Sequence, residues 1–452
     1  MARKLFGTDG IRGVAGEPPL DRRTAHAVGV ALGRWAREAQ GPDTGDVQEV
    51  VIGLDTRESG PWLAAQVAGG LKRSGIGVRF AGVITTPGVA YLARTGSFIA
   101  GVMISASHNP YDDNGIKVID HAGYKLPDAI EERLEELMFE WLDSGEEAIP
   151  EALSPDKSLD SLYSDFLAAT VDRPLPLRLV LDCANGSATA VAPELFRRLG
   201  GEPDLIGNAP DGRNINLDCG SLHLERLRQR VLETGADAGV AFDGDADRAL
   251  FVSHSGKLID GDAVLYLAGT ALKRAGKLPG SVVVATVMSN LGLEQALARN
   301  DISLVRTPVG DKYVLEEMLR RKAAVGGEQS GHVIFADYAT TGDGILTALR
   351  VFETLQQTGQ TLDDLTHEVK TFPQKLVNVR VKHKRPLEEL ESVQQEMRAA
   401  ERDFQSSGRV VVRFSGTEPL ARVMIEAPSE ETVETWTERI ANAIRLELGA
   451  SE

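Results

Sequence analysis

The chain has 452 residues, 42% of them hydrophobic and 25% charged, which is typical of a globular protein with room for several domains. Its net charge of −17 argues against a nucleic-acid-binding protein or one that binds anionic membranes, although a few local Arg and Lys residues can still form a phosphate pocket. We expect a cytoplasmic protein, because no membrane-spanning segment or signal peptide is evident and Cys183 and Cys219 make no disulfide framework.

Hydrophobic periodicity and capping residues predict alternating strands and helices from residue 50 onwards. The first group comprises strand 50–54, helix 59–73, strands 77–80 and 99–104, and helix 127–142. Ser59 is the predicted N-cap of the first helix, with Pro61 in its first turn. The polar stretch 143–160, which contains two prolines, is typical of a linker.

The alternation restarts twice before the tail. The second group comprises strand 177–181, helices 189–199 and 222–233, and strand 238–242. The third comprises helix 263–274, strand 281–286, helix 291–299, strand 302–305, and helices 312–320 and 344–356. The tail comprises strand 376–381, helix 387–404, strands 410–414 and 421–425, and helix 431–448.

These groups predict an α/β protein. We expect three successive doubly wound α/β domains with mixed sheets, followed by a C-terminal α+β domain with a mainly antiparallel sheet. The predicted domains are residues 1–150, 151–256, 257–370 and 371–452.

The first motif is the sequence SASHNP, which directly follows the strand 99–104. Asn and Pro force a turn, so Ser105 and Ser107 are placed just past a strand end, where ligands bind in open α/β sheets. A hydroxyl beside His108, with Lys117 shortly after, is suited to a nucleophile or a phosphate carrier. Taken alone, the hexapeptide is explained better as a turn that caps its own backbone.

The second motif places three carboxylates at alternate positions after a predicted strand. Asp243, Asp245 and Asp247 can converge on one hard cation, and a phosphate oxygen as the further ligand would suit Mg²⁺. The EF-hand pattern fails, because Arg248 stands where that loop needs Gly and His254 where it needs Glu. A solvated acidic turn is the weaker alternative, since unpaired carboxylates this close repel one another.

The third motif is the sequence GGEQSGH. Glu328, Ser330 and His332 alternate, so an extended backbone would direct them to the same side. Glu and Ser can together bind vicinal hydroxyls, and the imidazole can shuttle a proton near neutral pH. A Gly-rich hairpin with a satisfied histidine explains the motif equally well.

The fourth motif, RFSGTEP, has the composition of a phosphate cradle. Arg413 and Arg422 offer two guanidinium forks, Ser415 and Thr417 offer hydroxyls, and Gly416 lets backbone amides approach an anion. A Gly-Thr turn between two hairpin strands is about equally well supported by this loop alone. The glycine-rich opening FGTDGIRG can likewise bring backbone and one guanidinium near an anion.

The order and spacing of these loops, together with the FGTDGIRG opening, resemble the α-D-phosphohexomutase family over essentially the whole chain. Within it, GGEQSGH, RFSGTEP and the opening are most similar to the amino-sugar branch. The resemblance implies that Ser107, not Ser105, carries the transferable phosphate. It implies Mg²⁺ held by Ser107, Asp243, Asp245 and Asp247. One departure is Lys312, where this branch more often has Arg, whose bidentate fork Lys lacks.

The resemblance also implies roles for the remaining motif residues. Sugar hydroxyls would be bound by Glu328 and Ser330. The reaction centre would be lined by Arg12, His108, Lys117, Arg248 and His332, of which His332 is the candidate for deprotonating the attacking hydroxyl. The substrate's non-reacting phosphate would be held by Arg413, Ser415, Gly416, Thr417 and Arg422. All of these would meet in a central cleft.

The implied activity is an isomerase that interconverts glucosamine 6-phosphate and glucosamine 1-phosphate through a phosphoserine and a bound 1,6-bisphosphate. It would supply amino-sugar precursor for UDP-N-acetylglucosamine and cell-wall synthesis. The expected partner is a small phosphosugar substrate, and we expect no binding to nucleic acid or to membranes. The sequence leaves open whether the protein forms a homodimer. Alternatives are a phosphomannomutase/phosphoglucomutase on the same scaffold, a catalytically silent sugar-phosphate-binding protein, and a metal-dependent phosphatase.

Overall fold

The computed structural model describes residues 5–7, 9–40, 48–405, 407–415 and 419–449. Within them the chain forms four β-sheets, of five, five, four and three strands, accompanied by helices. The first three sheets contain parallel and antiparallel pairs, whereas both pairs of the described C-terminal sheet are antiparallel. The predicted α/β fold, with mixed sheets and an antiparallel C-terminal sheet, is confirmed.

The first unit carries the strand that leads to the serine motif. Its elements are β1 (Ile11–Val14), α1 (Arg22–Gln40), β2 (Glu49–Leu54), α2 (Gly60–Arg73), β3 (Gly77–Val83), α3 (Thr86–Thr95), β4 (Phe98–Ile104), β5 (Asp113–Asp120) and α4 (Asp128–Asp143). The strand order is β1-β5-β4-β2-β3. β4 reads FIAGVMI and is almost wholly buried, as expected of a central strand covered on both faces.

Two local predictions in this unit need correction. Ser59 and Pro61 stand at the start of α2 as predicted, but the Ser59 side chain makes no capping bond. Its hydroxyl accepts a hydrogen bond from Asn114 Nδ2 at 2.8 Å instead, because β5 passes beside it. The predicted linker is also too long, since α5 (Lys157–Ala169) begins within it, capped by the side chain of Asp156.

The second and third units repeat the alternation of strands and helices. The second contains β6 (Leu179–Asp182), α6 (Ala192–Arg198), β7 (Asp204–Ile206), α7 (Glu225–Thr234), β8 (Ala238–Phe242), β9 (Ala249–Ser253) and β10 (Leu258–Ile259). The third contains α8 (Gly261–Arg274), β11 (Val282–Thr286), α9 (Leu291–Arg299), β12 (Ser303–Thr307), α10 (Asp311–Arg321), β13 (Val325–Gly327), β14 (Val333–Phe335), α11 (Gly344–Thr358) and α12 (Leu362–Leu365). Their strand orders are β10-β9-β8-β6-β7 and β12-β11-β13-β14.

The C-terminal unit is smaller. It contains β15 (Gln374–Arg380), α13 (Glu391–Phe404), β16 (Arg409–Phe414), β17 (Leu420–Glu426) and α14 (Glu430–Leu448). The strand order is β15-β17-β16. Alternation along the strands and the apolar face of α14 bury a core of its own, which includes Trp436 and Ile440.

Three of the four motif loops follow the C-terminal end of a strand that belongs to a parallel pair. Ser107 follows β4, Asp243 follows β8 and Glu328 follows β13. The loops at such strand ends are where open α/β sheets form ligand sites. The fourth loop joins the antiparallel strands β16 and β17, and is thus positioned by a hairpin.

The second and third units share one hydrophobic core. Phe352 of α11 is fully buried between Phe196 of α6 and Phe251 of β9, with ring centroids 5.9 and 5.7 Å away. The first and C-terminal units each bury a separate cluster. The two central units are therefore coupled through apolar packing.

Replacement of Phe352 by Ala should lower the free energy of unfolding by about 3–5 kcal/mol, because it opens a cavity in this shared core. The midpoint of urea denaturation measures it. Leu446→Ala is the control, since that side chain is 85% exposed and should change stability by less than about 0.5 kcal/mol. Equal effects of the two substitutions would contradict a shared core centred on Phe352.

Candidate active site

The serine loop turns immediately after β4. Ser107 is buried, and its Oγ donates a hydrogen bond to Asp243 Oδ2 at a distance of 2.5 Å. Nδ1 of His108 lies 3.3 Å from Ser107 Oγ. Burial, together with the guanidinium groups of Arg248 and Arg12, lowers the pKa of His108, which favours the neutral imidazole. The hydroxyl therefore faces a carboxylate and an imidazole where the first two units meet.

The three aspartates converge as the sequence predicts. Asp243, Asp245 and Asp247 are buried, and each offers an oxygen within 4.8 Å of the others. Burial and the two neighbouring carboxylates raise the pKa of Asp243 well above its usual range. Burial acts on Asp247 in the same direction, but His332 and Lys117 outweigh it and hold the pKa of Asp247 well below its usual range. Within this cluster the protonated form is therefore favoured at Asp243 and the ionised form at Asp247.

The donor set suits a hard divalent cation. Oδ1 of Asp245 and Oδ1 of Asp247 are buried and accept no hydrogen bond from any residue that the structure describes. Buried carboxylate oxygens without donors are costly unless a cation binds them. Carboxylate oxygens are also the ligands that Mg²⁺ prefers.

Lys117 of β5 connects the aspartate loop to the N-terminal loop. Its Nζ lies 2.8 Å from Asp245 Oδ2 and 3.1 Å from Asp9 Oδ2. Burial acts to lower the pKa of Lys117, but the two carboxylates outweigh it and raise the pKa, so the amine is charged. Arg12 pairs with Asp9 as well. The FGTDGIRG segment thereby reaches the aspartate cluster through Asp9, an acidic residue that no motif pointed to.

The GGEQSGH motif is a turn, and the expectation of an extended backbone is wrong. The amide of Glu328 donates to the carbonyl of His332 at 2.9 Å, and Gly331 has a φ of 93°. The glycines permit this tight turn between β13 and β14. Ser330 Oγ nevertheless lies 3.3 Å from Glu328 Oε2, so the two hydroxyl-binding candidates remain adjacent.

His332 is buried, and both of its ring nitrogens face protein groups. Nδ1 lies 3.4 Å from Asp247 Oδ2, and Nε2 accepts the Gly342 amide at 3.0 Å. Burial acts to lower its pKa, but Asp247 and Asp311 outweigh it and raise the pKa to about 9. That protonated state conflicts with the Gly342 bond, which needs a lone pair on Nε2. We favour the neutral ring, because the Gly342 amide can only donate a hydrogen bond and therefore needs an unprotonated Nε2. A cation bound to Asp247 would also weaken the attraction between the Asp247 carboxylate and a protonated His332 ring.

The fourth motif is described only in part. Arg413 and Arg422 are register partners on β16 and β17, and burial together with the charge of Arg422 lowers the pKa of Arg413. Ser415 is buried at the end of β16. Gly416 and Thr417 lie outside the described residues. Two guanidinium groups side by side are suited to an anion.

A cavity of about 530 Å³ opens over these loops. The predicted residues that line it are Arg12, Ser107, His108, Asp247, Arg248, Glu328 and His332. The predicted residues outside its lining are Lys117, Asp243, Asp245, Ser330, Arg413, Ser415 and Arg422. The structure therefore brings the first three motifs and the N-terminal loop together, and places the described part of the RFSGTEP motif outside the lining of this cavity.

A chain of ion pairs that no sequence motif predicts ties the third unit to the first. Nζ of Lys125 lies 2.5 Å from Asp9 Oδ1 and 2.6 Å from Asp311 Oδ2. Lys312 pairs with Asp128 across the same gap. Lys125 and Asp311 are 186 positions apart, so no spacing pattern could relate them.

Comparison with known proteins agrees with this geometry. Four profiles described as phosphoglucomutase/phosphomannomutase, for alpha/beta/alpha domains I, II and III and the C-terminal domain, match residues 3–144, 156–256, 260–372 and 376–443. The chain belongs to the phosphoglucomutase/phosphomannomutase family. The α-D-phosphohexomutase resemblance predicted from the motifs is confirmed.

Within the phosphoglucomutase/phosphomannomutase family, the chain is similar over its full length to relatives named phosphoglucosamine mutase. The chain is 58% identical to a phosphoglucosamine mutase of Solibacter usitatus, covering 99% of this chain and 100% of the relative. It is 50% identical to a phosphoglucosamine mutase of Koribacter versatilis, covering 99% and 98%. A crystal structure of a phosphoglucomutase/phosphomannomutase family protein from Burkholderia thailandensis is 25% identical, with a TM-score of 0.81 and coverage of 99% and 98%.

Among the described helices, none combines the length and the apolar composition that a transmembrane segment needs.

Substitution of Asp245 by Asn should weaken Mg²⁺ binding by about 10-fold or more, because a charged oxygen donor is lost without a change of shape. Isothermal titration with Mg²⁺, checked with Mn²⁺ and electron paramagnetic resonance, measures this affinity. Asp218→Asn is the matched control, since Asp218 is an exposed acid of the same unit. Equal affinities for wild type and Asp245→Asn would rule out the aspartate cluster as the cation site.

Proposed function

We propose that this chain is a phosphoglucosamine mutase that interconverts glucosamine 6-phosphate and glucosamine 1-phosphate. The observation that carries the proposal is the buried Ser107 hydroxyl, bonded to Asp243 within a three-carboxylate cluster beside the cavity. Relatives named phosphoglucosamine mutase, which align over nearly the whole chain, supply the substrate class. The product would serve as amino-sugar precursor for UDP-N-acetylglucosamine.

Ser107 is the proposed phosphate carrier. In the first step the bond between the Ser107 oxygen and phosphorus breaks while the free sugar hydroxyl forms a new bond to phosphorus, and the proton that this hydroxyl loses ends on the released Ser107 oxygen. The resulting 1,6-bisphosphate reorients and returns its other phosphoryl group to Ser107. Such transfers depend on in-line positioning and on neutralising charge on the phosphoryl oxygens.

The charged side chains divide the task between them. Asp243, Asp245 and Asp247 would hold Mg²⁺ together with an oxygen of the phosphoserine, and the cation would neutralise the transferring group. Arg12 and Arg248 line the cavity and supply further positive charge there. That His332 takes the proton from the attacking hydroxyl stays a prediction of the family resemblance. Both nitrogens of His332 face protein groups, so this imidazole is better placed to orient Asp247.

Substrate binding is assigned to two loops. Glu328 lines the cavity, with Ser330 hydrogen-bonded to it, so this pair is suited to vicinal sugar hydroxyls. Arg413, Ser415 and Arg422 would hold the phosphate that does not react, with Gly416 and Thr417 completing that loop. A substrate with two phosphate positions explains why the carrier and the cradle lie on separate units.

Ser107→Ala should reduce the isomerisation of glucosamine 6-phosphate by about 10³-fold or more, because the carrier oxygen is lost. A coupled assay for glucosamine 1-phosphate measures the rate. Ser97→Ala, an exposed serine of the same unit, should retain full activity. Near-normal turnover by the Ser107 variant would refute the carrier role.

The substrate preference is tested by measuring kcat/KM for glucosamine, glucose and mannose 6-phosphates side by side. We expect the amino sugar to be preferred by about 10-fold or more, and we expect isomerised product without release of inorganic phosphate. A preference for glucose or mannose would favour a phosphoglucomutase or phosphomannomutase on this scaffold. Stoichiometric phosphate release would favour a phosphatase, and neither product would favour a binding protein.

A further inference from the structure

The backbone of Ser107 is held in an unusual conformation. Its φ is 53°, in the left-handed region that non-glycine residues rarely occupy. Such a conformation persists only where surrounding groups enforce it. The groups that enforce it here are buried, specific and drawn from two different units.

Arg57, which follows β2, is the first of them and is only 1% exposed. Its guanidinium, which can only donate hydrogen bonds, donates to five acceptors around the serine loop. They are the carbonyl oxygens of Ser107, Asn109, Pro110 and Asp113 and the carboxylate of Asp55. Nη2 lies 2.9 Å from the Ser107 oxygen and 2.8 Å from the Asn109 oxygen. A planar fork with five donors can serve these acceptors together, whereas a lysine has three donors on one atom.

Asn216, from the second unit, donates hydrogen bonds to the same two carbonyl oxygens, those of Ser107 and Asn109. Its Nδ2 lies 2.9 Å from the Ser107 oxygen and 3.0 Å from the Asn109 oxygen. Each carbonyl therefore receives one donor from each unit. The aspartate loop also packs closely against the Ser107 backbone, because a Cβ at Gly244 would lie 2.4 Å from the Ser107 carbonyl oxygen.

Ser105 holds the other side of the Ser107 backbone. The Ser107 amide donates to Ser105 Oγ at 2.9 Å, and Ser105 Oγ donates to Asp55 Oδ2 at 2.6 Å. Asp55 in turn accepts from Arg57 Nε at 3.0 Å. Both the amide and the carbonyl of Ser107 are thus tied into one buried network.

We propose that Arg57 and Asn216 form a carbonyl clamp, supported by Ser105, that sets the direction of the Ser107 oxygen and thereby the rate of phosphoryl transfer. The clamp rests on the proposed role of Ser107 as phosphate carrier. None of the three residues lines the cavity, so they are positioning residues that act through Ser107. A misplacement of about 1 Å at a reacting atom can cost about 100-fold in rate.

The test uses full-length Asn216→Ala and Arg57→Lys proteins. We expect kcat to fall by about 10- to 100-fold with KM changed less than about 2-fold, because the clamp touches no substrate. The rate of Ser107 phosphorylation by a hexose 1,6-bisphosphate with Mg²⁺, followed by intact-protein mass spectrometry, should fall by the same factor. A purely structural role would lower the melting temperature without this split between kcat and KM.

Asn214→Ala is the matched control for Asn216→Ala. Asn214 lies on the same loop and donates to the Ala209 carbonyl at 2.9 Å, away from the serine loop, so its loss should leave both rates unchanged. Arg79→Lys is the control for Arg57→Lys, because Arg79 pairs with Asp156 at the far edge of the first unit's sheet. If Arg57→Lys fails to fold, Asn216→Ala decides.

A folded Asn216→Ala protein with wild-type kcat and wild-type phosphorylation rate would overturn the clamp, as would a higher KM at unchanged kcat. Wild-type protein measured in parallel separates this failure from that of the proposed function. If the wild type isomerises no hexose phosphate, the mutase assignment fails. The clamp is then judged by the Ser107 phosphorylation rate alone, with the same two outcomes.

Discussion

Three carboxylates buried within 4.8 Å of one another are the constraint on which the rest of this structure depends. Buried like charges are tolerated only when cations or donors surround them. The chain brings these partners from separate units: Lys117 from the first and His332 from the third. The site can therefore exist only where several sheets end at one place, and the loops at those ends must approach closely.

That approach explains the backbone around the serine. Gly244 lies where any Cβ would collide with the Ser107 carbonyl, and Thr86 at the start of α3 donates to Asp245 across the same junction at 2.5 Å. Arg57 and Asn216 then satisfy the carbonyls that the tight turn would otherwise leave buried and unpaired. The close packing at Gly244 and the left-handed backbone at Ser107 therefore occur together where the Ser107 hydroxyl meets the aspartate cluster.

Sequence patterns predicted the regular elements best where periodicity was strong. Strand 238–242 and helix 291–299 were predicted with the bounds that the structure has. β5 was missed because Asp113, Asn114 and Gly115 at its start are typical of turns, although antiparallel pairing with β4 and β1 makes them a strand. The turn at Glu328 was mistaken for an extended segment, because alternation of polar residues occurs in strands and in tight turns alike.

The sequence by itself determined the chemical groups that each loop offers: hydroxyls in the serine loop, carboxylates in the aspartate loop, a glutamate with a serine in the GGEQSGH turn, and guanidinium groups in the fourth motif. Only the tertiary structure decided which groups meet. Ser107 and Asp243 are 136 positions apart, and Lys125 and Asp311 are 186 apart. Local patterns reflect backbone geometry over a few residues, whereas such contacts depend on how whole sheets pack against one another. The support that Arg57 and Asn216 give to the serine loop belongs to this second class, because hydrogen bonds to backbone carbonyls leave no motif in the residues that receive them.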